Sequence, residues 1–341
     1  IHPLEDGLAF LPPDFEGTLQ GNVELIAKSD IKNLVVAADV YAQKLVAYGE
    51  SFRDAKFAFL YKNRNIRLDG FSVTKETGKA TGQVSYNMPD SKIEYNFSMR
   101  GLPSNELTLY KRLPFALEFK AVGEFQGWRT PTQWRHRGFL GLSSPRVLDK
   151  TIPDSTFEWD LRHDGVQLES KIAEDWIVLS AQSLPSSNGS KIDAKLDVNI
   201  PNLPLVLMGV FGENPHLANA TGQMVMEAKV GVSNWEWHKL DLKAWLKSLK
   251  LQTAETNLDA TFPSPQVAIE GGRISRWDFE LNEPDLKVDS HAEGDFRSRL
   301  VLTNNFQFDA KYLEILTPHL QRAEGRVNAV VKAVLSQNNL A

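Results

Sequence analysis

The chain has 341 residues, with 38 basic against 43 acidic side chains and a formal net charge of −5. That balance argues against the non-specific nucleic-acid binding that needs a basic surface, so no nucleic-acid partner is expected. With 42% hydrophobic and 24% charged residues the chain is neither disordered nor membrane-embedded. No run of about 18 apolar residues exists to cross a bilayer as a helix, and the longest, Leu203 to Phe211, carries Pro204 and Gly209. Cysteine is absent, which excludes disulfides, a thiolate nucleophile and cysteine-held zinc or iron–sulfur sites and suits an oxidising compartment. The start Ile1-His2-Pro3 shows neither an initiator Met nor an apolar leader, so we expect a segment of a longer protein with its targeting signals elsewhere.

From the N-terminus onward the dominant period is two. Leu19, Val23, Leu25 and Ala27 alternate with polar or small residues, as do Leu34, Val36, Ala38 and Val40, then Phe57, Phe59 and Tyr61. Phe157, Trp159 and Leu161 follow, then Ile192, Ala194, Leu196, Val198 and Ile200, then Met224, Met226, Ala228 and Val230. Leu258, Ala260 and Phe262, then Phe306, Phe308 and Ala310, and finally Val327, Ala329, Val331 and Ala333 complete the series. Such alternation marks strands with one apolar and one polar face. Turn residues such as Asn63-Arg64-Asn65 and His163-Asp164-Gly165 separate the runs. The pattern predicts roughly 17 to 19 mostly hairpin-connected, antiparallel strands. Only Pro204 to Phe211 and Tyr312 to Leu320 read as short helices.

Internal repetition organises these strands. Pro215-His216-Leu217-Ala218-Asn219-Ala220-Thr221-Gly222 and Pro318-His319-Leu320-Gln321-Arg322-Ala323-Glu324-Gly325 share one pattern, 103 residues apart, and each leads into a strand. A shorter version at Leu11 to Gly17 and a degenerate one at Arg112-Leu113-Pro114 extend the series. Gly17, Pro114, Gly222 and Gly325 are then spaced by 97, 108 and 103 residues. We expect repeats at 1–101, 102–204 and 205–316, with 317–341 opening a fourth. In the second repeat the connector lacks its Gly, and Trp128 to Gly141 reads as an insertion.

The connector-plus-strand unit (Asn202-Leu203-Pro204-Leu205-Val206-Leu207 leading to Ala220-Thr221-Gly222-Gln223-Met224) resembles the AsmA-like superfamily, in its TamB-like branch. So do the run Val267-Ala268-Ile269-Glu270-Gly271-Gly272-Arg273-Ile274 and the succession of short amphipathic strands opened by Gly. The resemblance implies an all-β, elongated repeating β-groove: a taco-like antiparallel sheet with short helical connectors and a hydrophobic trough. It further implies a bridge across the Gram-negative periplasm carrying phospholipid toward the outer membrane. A BamA-like outer-membrane partner and an inner-membrane partner would engage regions outside this segment.

No catalytic pattern stands out. The histidines His2, His136, His163, His216, His238, His291 and His319 are scattered, without metal-ligand spacing, and His216 and His319 occupy equivalent repeat positions, which reads as structural. No nucleophile elbow or P-loop occurs, Gly271-Gly272 reads as a bulge or turn, and the carboxylates read as solvated strand faces, with a glycosidase pair distant in sequence left open. The stretch Trp128-Arg129-Thr130-Pro131-Thr132-Gln133-Trp134-Arg135-His136-Arg137 interleaves basic and aromatic residues. It reads as a loop packed on the sheet edge, or as a surface that stacks nucleic acid or contacts lipid headgroups, the net negative charge favouring headgroups of the two. Trp235-Glu236-Trp237-His238 with Trp245 reads as core or trough filling.

Two functions of different class remain. The first is a non-enzymatic lipid conduit with no cofactor and no metal. Its groove would be lined by Leu19, Val23, Leu25, Val36, Val40, Phe57, Phe59, Phe157, Trp159, Leu196, Val198, Met224, Met226, Leu258, Phe262 and Phe308, holding phospholipid acyl chains. The second is a scaffold that pairs a sheet edge with strands of outer-membrane proteins. A closed β-solenoid or sandwich with a dry core is the third reading.

Overall fold

The computed structural model describes residues 16–26, 34–47, 50–75, 77–106, 117–148, 150–186, 189–234, 236–295, 298–317, 320 and 322–336. They form 21 strands and two short α-helices, so the chain is all-β. The ladders are antiparallel throughout. Two compact units result, the first of 1–113, 118–145 and 156–163, the second of 114–117, 146–155 and 164–341. The repeat at 1–101 falls in the first unit and that at 205–316 in the second, while 102–204 is divided between them.

The first unit is a meander of β1 (Glu16–Ile26), β2 (Val35–Ala47), β3 (Glu50–Lys62), β4 (Asn65–Thr74), β5 (Lys79–Asn87), β6 (Lys92–Pro103) and β7 (Leu117–Arg129), with most of β8 (Trp134–Val147) and β10 (Ser155–Arg162). Asn63 and Arg64 link β3 to β4 with positive φ, 51° and 59°, and Lys62 faces Asn65 across the turn. Two left-handed residues give the turn twist that matches the flanking strands. Pairing puts apolar residues opposite one another: Leu25 with Val36, Val40 with Phe57, Phe59 with Leu68, Val84 with Tyr95, and Phe97 with Phe125. Because side chains alternate, directly paired residues share a face, and these rows make one face apolar. Its buried cluster, Ala42, Leu45, Ala55 and Val73 with Phe52, Phe71 and Ala80 around it, consists of strand residues alone.

Trp128 to Gly141 is strand and turn rather than loop. It is the facing part of two regular strands, β7 and β8, and only Thr130 to Gln133 is turn: the Thr130 amide donates to the Gln133 carbonyl at 2.8 Å. The basic and aromatic residues alternate between sheet faces rather than filling a loop.

The second unit holds a two-residue β9 (Lys150–Thr151), then β11 (Gly165–Ile172), β12 (Ile177–Ser186), β13 (Gly189–Ile200), β14 (Thr221–Ser233), β15 (Leu240–Gln252), β16 (Asn257–Thr261) and β17 (Val267–Glu270). β18 (Arg273–Glu283), β19 (Leu286–Gly294), β20 (Arg299–Asp309) and β21 (Arg326–Ser336) complete it. Met224, Met226, Ala228 and Val230 of β14 lie opposite Ile200, Val198, Leu196 and Ala194. They share the apolar face as the alternation predicts, and Gln223, Glu227 and Lys229 take the other. The Gly271-Gly272 pair is a turn between β17 and β18, both residues at positive φ (57° and 80°).

Helix α1 (Leu203–Phe211) covers part of this apolar face; Pro204 sits in its first turn and the Asn202 side chain caps it through the Leu205 amide at 3.1 Å. Leu203, Val206 and Leu207 pack with Val198, Ile200, Met224 and Met226. Helix α2 (Lys311–Leu316) ends before the predicted Leu320. Its Ile315 joins Met208, Leu217, Leu251, Leu258, Ala260, Phe262 and Leu281 in the largest buried cluster. The two connectors lock together through Asn214, whose Nδ2 donates to the carbonyls of Glu314 (2.6 Å) and Ile315 (3.0 Å).

Strand β15 is longer than either partner on its far side. β16 pairs with its end, β17 with its beginning, and the break between them is bridged by the buried Gln266. Its Oε1 accepts from the Leu246 amide at 2.7 Å and its Nε2 donates to the Leu246 carbonyl at 3.3 Å, so a side-chain amide stands in for a strand backbone.

Met226 is half-buried against Val198 beneath α1, so Met226→Glu places an unpaired carboxylate against a packed apolar cluster. A loss of about 3 kcal/mol is expected in urea denaturation. Gln223→Glu, on the exposed face of the same strand, should change stability by no more than about 0.5 kcal/mol.

Candidate functional site

The candidate site is the apolar sheet face together with whatever covers it. In the first unit, Val23 and Leu25 are 72% and 64% exposed. Val36, Val40, Phe57 and Phe59 are half-buried beside them, and pairing sets the six in one patch across β1, β2 and β3. The Leu19 backbone pairs with Ala42; its side chain lies outside the described residues.

Farther along the same face an aromatic ladder crosses the strands. Phe71 meets Phe97 edge-on at 6.2 Å, Tyr95 lies 6.0 Å from Phe97, and His136 stacks on Trp159 at 5.8 Å. Trp159 also lies 5.7 Å from Phe125, and the Tyr95 hydroxyl hydrogen-bonds to His136 Nδ1. Burial pushes the Tyr95 phenol pKa up. Phe157 is half-buried two residues before Trp159. Glycines make room for these rings: a Cβ on Gly82 would come within 2.1 Å of the Phe97 ring, and one on Gly138 within 2.4 Å of Trp159. Cross-strand glycine–aromatic pairs lay each ring flat over the neighbouring backbone.

In the second unit the predicted lining residues meet a different surrounding. Val198, Leu258 and Phe262 are buried, with Phe262 stacked on Phe279 at 5.3 Å. Leu196, Met224 and Met226 are half-buried against the cluster that α1 closes. Phe308 faces Leu286 and Val327 on neighbouring strands. Here side chains of α1 and α2 occupy the space over the face. Trp245 anchors the break between β16 and β17, its indole N–H donating to the Phe262 carbonyl at 2.8 Å, with the Lys247 ammonium 4.9 Å from the ring centre. Trp235 and the Trp237 side chain lie outside the described residues.

Two features of the polar face escape sequence reading. One is a concavity of about 670 Å³ in the first unit, lined by Arg67, Gln83, Asn96, Gln126, Trp128 and Arg137 among others. The other is the tiling of the second unit's polar face by ion pairs within single strands: Lys191–Asp193 at 3.0 Å, Lys195–Asp197 at 2.7 Å and Lys229–Glu227 at 3.1 Å. Lys247 adds a cross-strand bond to Glu227 at 2.8 Å, and the two lysines pull that carboxyl down to about 2. Residues two apart on a strand share a face, so the spacing of these pairs was visible in the sequence; that they bond was not.

The basic and aromatic residues of the β7–β8 hairpin divide accordingly. His136 joins the aromatic ladder, while Arg135 turns to the polar face and grips Asp160 through two nitrogens, Nε at 2.9 Å. Arg162 adds a second guanidinium at 2.8 Å. Both hold the Asp160 carboxyl far below the usual carboxylate range. A depressed folded-state pKa contributes stability at pH values above the unfolded pKa, near 3.8, that is lost as pH falls below it. Asp160→Asn should therefore cost about 1 kcal/mol at pH 7 and show a smaller loss than wild type as the pH is lowered below about 4, read from denaturant midpoints.

Among the described residues no helix is long and apolar enough to cross a membrane. Comparison with known protein families, with curated proteins and with solved structures finds no match, and none of the three identifies an AsmA-like family.

Proposed function

We propose that this chain is a non-enzymatic lipid-binding segment that holds phospholipid acyl chains along the apolar face of its sheet, and that it works in the periplasm of a Gram-negative envelope as part of a bridge toward the outer membrane. One observation carries the reading. The first unit's apolar face runs across paired strands from Val23 and Leu25 to the Phe125 and Trp159 rings, and its buried cluster is made of strand residues, with no helix in it. Side chains there remain half-exposed, whereas in the second unit helices complete the core. A 16-carbon acyl chain gains on the order of 12 kcal/mol on leaving water, at about 0.8 kcal/mol per methylene. Away from the Lys75–Glu50 ion pair beside Phe52, the apolar face repeats from strand to strand and offers that gain at many positions, which favours sliding over trapping. The resemblance to the AsmA-like superfamily supports the same reading and supplies the envelope setting and the outer- and inner-membrane partners.

The scaffold reading has its own support. Among the described pairings β21 joins only β20, and Val330 and Val331, on opposite faces of this edge strand, are 72% and 50% exposed. A further strand adding here would cover both.

The two separate under photocrosslinking. Benzoylphenylalanine replacing Phe59, on the apolar face, should capture phospholipid in cells of a Gram-negative host, and the same residue replacing Lys56, on the other face, should not. Equal capture at both positions, or none at Phe59, overturns the conduit. Capture of a protein strand by a probe replacing Val330, without lipid at Phe59, favours the scaffold.

A further inference from the structure

Glu314 is 3% exposed, and a carboxylate so placed needs a counter-charge. No lysine or arginine among the described residues pairs with it. Its Oε1 accepts the Ala323 amide at 2.5 Å, and its Oε2 lies 3.6 Å from His216 Nδ1. Glu255 completes the group: one donor atom from each of His216, Glu255 and Glu314 lies within 4.8 Å of the others.

We propose that these three side chains form a structural site for a divalent transition-metal ion of the zinc class. One imidazole nitrogen and two carboxylates are ligands such an ion accepts, with a water to complete four-coordination. Ligand atoms around a tetrahedral zinc sit about 3.4 Å apart, so the His216–Glu314 separation is near that required and rotation of the exposed Glu255 closes the third side. The surroundings hold two of the ligands in place. Asn214 Oδ1 accepts the His216 amide at 2.9 Å while its Nδ2 holds the last carbonyls of α2, fixing the backbone of both His216 and Glu314. The Glu255 turn is closed by Thr253, whose amide donates to the Thr256 carbonyl at 2.9 Å. The ion would fasten three segments over the second unit's core: the turn after α1, the β15–β16 turn and α2.

The test is calorimetric titration of chelator-stripped protein with zinc chloride, paired with melting curves. Wild type should bind one equivalent saturably and melt several degrees higher with zinc. Glu255→Gln is the informative variant, because Glu255 is exposed and its loss should leave the metal-free melting curve unchanged. It should weaken binding at least about tenfold and abolish the zinc-dependent rise. His216→Ala should do the same. The absence of a saturable heat in wild type, or Glu255→Gln binding as wild type does, overturns the site and leaves a His216–Glu314 pair alone. Calcium binding as tightly as zinc overturns the assignment to an imidazole-favouring ion.

Discussion

A strand shows alternate residues to opposite sides, and an antiparallel partner repeats that division between bulges, so an apolar side chain at one pairing commits its row. Met224, Met226, Ala228 and Val230 bind β14 to Val198 and Ile200 on one flank and to Leu246 and Leu249 on the other. The face they build is too large to leave to water, and the rest of the second unit answers to it. The sequence after β13 turns into a helix that is apolar on almost every side, and the loop after it drives Leu217 into the core. The partner repeat sends α2 to the same place. Asn214 holds the two connectors in register, so the repeat seen in the sequence closes on itself in space.

The first unit meets the same constraint with different means. Its described residues stack rings along the sheet and thin the backbone beneath them with glycine. Gly82 under Phe97, Gly127 beside Tyr95 and Gly138 under Trp159 are each positions where a methyl group would strike the neighbouring ring. Strands built this way cover part of their own apolar surface sideways, across the ladder. Among the described residues they do so without a second layer, and much of this face remains half-exposed.

Strand existence and facing were legible in the sequence because period two is a direct image of the pleat. The helices were legible as well, since Pro204 at a helix start and an apolar run have few other uses. The Trp128–Arg137 stretch misled because composition dominated pattern: charged and aromatic residues alternate there in strand fashion, and only the Thr130–Gln133 turn interrupts them. Gln266, Asn214 and Glu314 left no local signal. Each matters through a partner 20 to about 100 residues away, and such pairings depend on topology rather than spacing.

The Gln266 bridge has a bearing on how this sheet breathes. Elsewhere in β15 an amide leaves its bond only when a stretch of ladder opens. At Leu246 the acceptor is a side-chain oxygen on two rotatable bonds beyond Cβ, and a single rotamer change releases it while both flanking ladders stay closed. The middle of the strand is thus joined by a hinge of one residue, and solvent exchange at that amide reports the side chain's private motion rather than the unfolding of the sheet.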